Sequence, residues 1–480
     1  MDGRLSGGRD HGVAVGVFAV AMSITAGYLV ESQSFVRLVI LVCLASLAVG
    51  FGLRAPRGAL FGLAVWLMLL GLIRRLLSLG VASPGHADPL LLGESLMLGV
   101  LLLGAASKPD FHRRNRLGTI VALFGVAILL EVFNPLQGGL FAGMSALVFF
   151  VPIAAFWIGR TLDDETYRRL LWICAVAAVP AAAYGLLQTF HGYPSWDRRW
   201  IASSGYAALS LGQGTRPFST FSSAAEYAQF LAVGLVIWIV FGRRLLRPVS
   251  LAVFGLLAFA IFYEGSRTSI FTAAGTLLLL AAAWRRVPIV VAVVAGAAVL
   301  LIVPYTVRQI AGTPTTAQST TTNTNLGNSI VQHQVQGLSN PFDPNSSTAG
   351  AHLSLLTHGL TAPFRNPLGK GISTITIAGS KFGGGTSSSE TDISNAAIAM
   401  GFPGLILFGL LAGTAIVSAY RLAVRRRDAL SLAALAVLLA LFGQWLNGGE
   451  YAVAWLPWLT LGWIDSAVAK QAPPSPEEPA

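Results

Sequence analysis

Charge is scarce in this chain. Only 11% of its 480 residues are Asp, Glu, Lys or Arg, while 54% are apolar. A soluble globular chain is about a quarter charged, so an ordinary water-soluble domain is excluded. Cysteine is scarcer still. Cys43 and Cys174 are the only two, and both lie inside apolar runs. They give no support to a disulfide framework, a zinc site or a thiol nucleophile. Short segments of alternating polarity, the mark of a membrane β-barrel, are also lacking. The formal charge of +11 raises the question of nucleic acid, but no DNA- or RNA-binding motif interrupts the apolar runs.

What is present is a series of apolar runs of helix-spanning length. They predict an all-α polytopic membrane protein with about 14 transmembrane helices. The predicted spans are 13–30, 35–52, 58–80, 89–106, 117–134, 139–159, 169–190, 224–242, 248–263, 268–284, 287–304, 395–420, 429–447 and 451–468. The connections alternate in character. One set holds Arg4/Arg9, Arg54/Arg57, "KPDFHRRNR" (108–116), Arg160 with "YRR" (167–169), "GRRLLR" (242–247), "WRR" (284–286), "YRLAVRRR" (420–427) and Lys470. These carry 21 of the 32 Lys and Arg. Short basic loops face the cytoplasm, which puts both termini inside and makes the positive charge an orientation signal. The first span lacks a small-x-small cleavage site and reads as a retained anchor.

The chain divides into N-terminal transmembrane helices (1–304), a large outer loop (305–394), C-terminal transmembrane helices (395–470) and a Pro/Glu-rich tail (471–480) that reads as disordered. A second outer loop covers 191–223. Within the large loop, "TPTTAQSTTTNTNLGNS" reads as flexible. Leu353, Leu356 and Leu360 then share a helical face. The acidic run "LDDET" (162–166) superficially matches a metal-binding DxD site. It lies on the cytoplasmic side at a helix start, where Asp and Thr cap, so capping is its expected role.

Four pieces stand in order on the outer side: "TRPFSTFSSAAEYAQFLA" (215–232), the pair Ser266–Arg267 in "FYEGSRTSIF", "NPLGKG" (366–371), and "ETDISNAAIAMGFPGLILF" (390–408). In this order they resemble the bacterial O-antigen ligase and polymerase superfamily over roughly 200 residues. The resemblance implies a GT-C-like, metal-independent membrane glycosyltransferase without a cofactor. Its donor would be an undecaprenyl-diphosphate-linked oligosaccharide or polysaccharide at the outer face of the cytoplasmic membrane. Its acceptor would be another glycan (a polymerase) or a lipid (a ligase). Ligases of this family carry a His before the last outer-to-inner helix. Here Glu390 and Asp392 stand in that segment, which favours the polymerase.

Arginine suits a leaving diphosphate, because its planar fork binds phosphate oxygens bidentately and keeps its charge when partly desolvated. Arg216 and Arg267 are the first candidates, and Arg74 and Arg75, near the outer end of the third span, the second. The structural alternatives are an ion pair between Arg267 and Glu264, a snorkelling role for Arg216 before Pro217, and headgroup contact for Arg74/Arg75. Arg198, Arg199, Arg308 and Arg365 read as solvated or headgroup contacts. Glu390, Asp392 and His358 are the candidates for the base that takes the acceptor proton; His352 and His333 are weaker. A helix N-terminus also attracts acids, which is the structural alternative for Glu390. Glu264 is the expected support for Arg267. Gly369 and Gly371, with Pro367, shape a tight turn that also lets backbone N–H groups approach a phosphate. Trp196 and Trp200, flanking Arg198 and Arg199, read as interfacial belt, with a sugar-stacking platform as the alternative. A transporter of lipid-linked glycans is the alternative of another class, though the matching half-repeats of transporters are not visible.

Overall fold

The protein is described from a computed structural model covering residues 35–77, 88–204, 210–211, 214–242, 247–295, 298, 330–331, 334–336, 349–376, 378–379, 387, 389 and 391–471. Its helices are α1 (Phe35–Arg54), α2 (Pro56–Leu77), α3 (Leu92–Ala106, entered by a 3-10 turn at Pro89–Leu91), α4 (Arg116–Glu131) and α5 (Leu140–Arg160). Then come α6 (Asp164–His191), α7 (Ser195–Ser204), α8 (Ala224–Phe241), α9 (Arg247–Glu264) and α10 (Arg267–Trp284). The rest are α11 (Ala349–Arg365), α12 (Asp392–Arg426), α13 (Ala429–Ala440) and α14 (Tyr451–Ala469). A two-residue antiparallel ladder, β1 (Ser210–Leu211) with β2 (Gly214–Thr215), precedes α8.

Among the described residues, nine helices are long and apolar enough to cross a membrane, counting the turn before α3 with α3. The protein is therefore a helical, membrane-embedded chain. The expected span 13–30 lies outside the described residues, as does most of 287–304 past Ala295. α1, α4 and α13 match three more expected spans but are shorter in their apolar part.

Local chemistry fixes the helix starts. Asn115, Asp163, Ser223, Ser266 and Asp428 each accept a backbone N–H three residues on, the N-cap bond that satisfies a donor the first turn leaves open. Asp163 in "LDDET" thus caps α6, bonding Thr166 N–H at 2.7 Å. Asp164 pairs with Arg426 at 2.7 Å, and Glu165 pairs with Arg168 and Arg169. Pro152 lacks an N–H, and α5 tightens to 3-10 geometry over Leu147–Ala154 around it.

α8 and α14 form the centre, with 78% and 89% of their apolar windows buried, while α9 and α10 lie at the edge with 22% and 28%. In a membrane the uncovered faces meet acyl chains. Small residues allow the tightest contact: a Cβ on Gly159 would stand 2.0 Å from the Leu459 carbonyl, and one on Gly462 1.9 Å from that of Phe156. α5 and α14 therefore meet backbone to backbone.

Two expected helices are not straight spans. The run 395–420 belongs to α12, which folds back on itself at Gly401 (φ 61, ψ −142). A Cβ on Gly404 would meet the Ala396 carbonyl at 2.2 Å, a closeness two turns of continuous helix forbid. The run 429–447 is helical only to Ala440, about 18 Å of rise. Residues 441–450 continue as irregular backbone, with Trp445, Leu446 and Glu450 buried and Phe442 and Asn447 exposed. Such backbone survives at membrane depth only when protein satisfies it. Here Asp392 does so, accepting the N–H groups of Trp445 at 2.5 Å and Leu446 at 3.0 Å.

Charge is gathered at the two ends of the bundle. One end holds the basic loops, with Arg57 paired to Asp163, Arg160 to Asp465 and Arg426 to Asp164 and Asp428. The other end holds Arg37, Arg74, Arg75 and Arg216 with their acidic partners.

Candidate functional site

The turn "YEGSR" connects α9 to α10. α9 ends on Glu264, Gly265 reverses the chain at φ 92, and Ser266 caps α10. The positive φ is the reason glycine stands there. The Glu264 carboxylate is fully buried. One oxygen pairs with Arg216 and the other accepts Ser266 N–H at 2.9 Å. Arg216 also donates through Nε to the Glu264 carbonyl at 3.2 Å. The expected pairing of Glu264 with Arg267 is thus corrected: Glu264 holds Arg216, which comes from 48 positions earlier. Gly265 and the start of a new helix separate Glu264 from Arg267, so the i,i+3 proximity of a continuous helix does not apply. Arg216 keeps 18% of its side chain exposed, and Arg267 is half-buried in the first turn of α10.

Arg74 and Arg75 part company. Arg74 bonds Asp88 at 2.7 Å and Ser222 Oγ at 3.2 Å and lies 5.0 Å from the Trp200 ring centre. Asp88 also takes Arg37 at 2.6 Å, so two guanidiniums share one carboxylate. Arg75 has no exposed side-chain surface. It faces Asp197 at 3.0 Å, donates to the Ser219 carbonyl at 2.6 Å and lies over Phe218 at 4.7 Å. This corrects its expected role. A guanidinium closed in on these sides braces the 216–222 loop and offers no face to a diphosphate.

The motif "NPLGKG" has a definite occupation. Its N–H groups at Lys370 and Gly371 donate at 2.9 Å to the carbonyls of Ile398 and Ala399, which the fold-back of α12 leaves open. Phe402 N–H, just past the break, returns to the Pro367 carbonyl at 2.9 Å. Gly369 (φ 85) and Gly371 (φ 89) are needed because a Cβ on Gly369 would stand 2.1 Å from the Ala399 carbonyl. The glycine turn is found as expected. The N–H groups of Lys370 and Gly371, however, serve α12 rather than a phosphate.

The candidate bases separate as well. Glu390 and His333 lie outside the described residues. Asp392 is buried with both carboxylate oxygens engaged by backbone amides, so the structure makes it a brace for the 441–447 turn. His358 is exposed on α11, as is His352. α11 presses on the first half of α12 through Gly359, where a Cβ would meet Ser394 at 2.4 Å. Leu356 and Leu360 are half-buried, while Leu353 is exposed. Trp196 donates to Tyr184 of α6, and Trp200 donates to the Ser222 carbonyl in the loop that carries Arg216.

Sequence reasoning missed a set of buried acids behind the arginines. Glu226 accepts Ala452 N–H at 2.7 Å and Ser222 N–H at 3.0 Å. Glu94 and Glu450 are buried, and among the described residues each leaves one carboxyl oxygen without a hydrogen-bond partner. Among the described residues, no three His, Cys, Asp or Glu side chains are grouped to hold a metal ion. The signal for Glu94 was present, since it stands inside the apolar run "LLLGESLMLGV", where an acid is costly. A small cleft of about 60 Å³ lined by Arg57, Lys108 and Asp163 sits at the opposite end, away from all these groups.

Chemically, the arginine end offers partly exposed cations held in place by buried carboxylates, beside the starts of α8, α10 and α12. These helix ends add positive potential. Such an arrangement accepts an anion at the membrane surface. Compared with known proteins, the chain matches no protein-family model and no curated protein.

Proposed function

We propose that the protein transfers a glycan from an undecaprenyl-diphosphate-linked donor to an acceptor at the outer face of the cytoplasmic membrane. The observation that carries this reading is the Arg216–Glu264 lock beside Arg267. Two loops distant in sequence bring these groups together at one end of the bundle. A diphosphate leaving group needs its developing charge stabilised, and preorganised guanidiniums do this best. The isoprenoid tail would stay in the membrane, next to the thinly covered faces of α9 and α10. The resemblance in motif order supports the family. The basic loops support 14 spans with both termini inside, and a GT-C-like architecture belongs to the same reading. The acceptor is taken as the next lipid-linked repeat, a polymerase, because Glu390 stands where ligases keep His. Arg74, beside Arg37 and Trp200, offers a second cationic position for the donor or acceptor.

Purified protein given a defined lipid-linked oligosaccharide should lengthen it without added metal. Arg267→Lys keeps the charge and loses the fork, so it should lower the rate by about tenfold or more, the worth of a charge-assisted bond. Parental activity in Arg267→Lys would rule out bidentate phosphate recognition at this turn. Transfer only to a separate acceptor lipid would make the protein a ligase. Movement of the intact lipid across vesicles without transfer would make it a transporter.

A further inference from the structure

The acids behind the arginine layer do not balance their charges. Three are matched by arginine: Asp88, Asp197 and Glu264. Two are matched by pairs of backbone amides: Glu226 and Asp392. Glu94 and Glu450 remain. Each is more than nine-tenths buried, and among the described residues Glu94 Oε1 and Glu450 Oε2 have no hydrogen-bond donor. Burying an ionised carboxylate without such compensation costs several kcal/mol, and the group takes up a proton instead.

Glu450 is the more tightly constrained of the two. It ends the irregular 441–450 segment and starts α14. The amide of its near neighbour Ala452 is already given to Glu226. Glu226 and Gln229 lie three residues apart on α8, on the side that faces Glu450, and the Gln229 side chain is against its carboxyl. Asp392 of α12 and Glu264 of α9 also act on it, the latter already matched by Arg216. From α2, Arg74 and Arg75 act on Glu226. From α3, Glu94 lies within the field of Glu226. Among the described residues, the charged groups that bear on Glu450 are the acids Glu226, Asp392 and Glu264.

We propose that Glu450 holds a proton at neutral pH, and that Glu94, Glu226 and Glu450 form a buried proton-binding site beneath the arginine layer. A bound metal cation is the poorer reading, since these carboxylates are not grouped closely enough to chelate one. The site can release a proton to, or take one from, a group entering at the arginine end. It needs no glycan transfer to exist.

The test is infrared spectroscopy of the full-length protein in lipid nanodiscs, without any substrate. Protonated carboxylic acids give a carbonyl band that shifts in D2O. At pH 7 the parent should show this band, and Glu450→Gln should remove about one carboxyl equivalent of it. Glu94→Gln should remove a second. An unchanged band in Glu450→Gln overturns the proposal. If that variant does not fold, glutamate-selective 13C labelling of the parent decides, and absence of a labelled protonated carboxyl at pH 7 overturns it. Loss of the band on adding sodium chloride would assign the site to a cation and also overturn it. Because no substrate is present, the outcome is independent of whether the protein transfers glycan.

Discussion

Arg75 decides whether the second arginine pair is machinery or framework. Its guanidinium faces Asp197 at 3.0 Å with neither side chain exposed. Asp197 in turn accepts from Tyr184 at 2.6 Å and from Gln188 at 2.7 Å. Gln188 then receives the N–H groups of Phe218 and Ser219 at 3.0 and 2.7 Å. Arg75→Met would leave Asp197 as a buried anion with two neutral donors. Asp197→Leu would leave a buried guanidinium with the Ser219 carbonyl and the Phe218 ring. Breaking a buried pair on one side costs about 3–5 kcal/mol. Removing both charges together is often nearly neutral. Here it strands the Tyr184 hydroxyl proton and one Gln188 N–H, at about 1 kcal/mol each, while the Ser219 carbonyl keeps Gln188 Nε2 at 3.5 Å. The double variant should therefore be about 2 kcal/mol less stable than the parent, well below the about 6–10 kcal/mol sum of the singles.

The measurement is reversible unfolding in mixed micelles, followed by tryptophan fluorescence. Trp196 reports well, since its indole N–H donates to Tyr184 at 3.0 Å. The coupling should be about 4 kcal/mol or more in favour of the double variant. Single variants that cost under about 1 kcal/mol, or a double variant that costs the sum of the two, would refute the buried-brace assignment. A stable Arg75→Met that loses affinity for a diphosphate lipid would return Arg75 to the ligand site.

Two further outcomes follow from the same geometry. Gly401→Ala forces a Cβ to 2.0 Å from the Pro367 carbonyl at a φ, ψ that only glycine adopts readily; strain of about 1–3 kcal/mol, plus loss of the three backbone bonds to 367–371 at about 1 kcal/mol each, should lower stability by about 4–6 kcal/mol, and a parental unfolding curve would disprove the fold-back clamp. Asp163→Ala should cost about 1 kcal/mol through its lost cap. Burial pushes Asp163 up, but the Thr166 N–H and Arg57 outweigh it and hold the carboxyl below its ordinary value. Its contribution is therefore present above the unfolded value and lost as pH falls through the folded one, and Asp163→Ala should flatten the acid limb of the stability profile.

Part of this arrangement can be read from the chain and part cannot, for reasons of range. Apolar runs declare membrane helices because burial in lipid acts residue by residue, and caps such as Asp163 and Ser266 declare helix starts because the bond closes within three residues. The fold-back at Gly401 declares little locally. "AMGFPG" inside an apolar run reads as a continuing helix despite Gly401 and Pro403, which loosen it locally, and "NPLGKG", some 30 positions earlier, fixes the break by supplying donors to Ile398 and Ala399 and an acceptor to Phe402. The end of α13 at Ala440 is likewise written in Asp392, whose carboxylate replaces the carbonyls a continuing helix would have offered.

The same limit governs the charges. Sequence proximity favoured Glu264 with Arg267 and grouped Arg74 with Arg75. In space, Glu264 takes Arg216, Arg74 shares Asp88 with Arg37, and Arg75 takes Asp197. These pairings are made between elements, so no local pattern encodes them. What the sequence does encode is the cost of each charge. Every acid in or beside an apolar run must be paid for by a partner or by a proton. Arginine accounts for Asp88, Asp197 and Glu264, and amides account for Glu226 and Asp392. Among the described buried acids of the arginine end, Glu94 and Glu450 are the two that neither an arginine nor a pair of backbone amides matches, which makes protonation their means of staying buried.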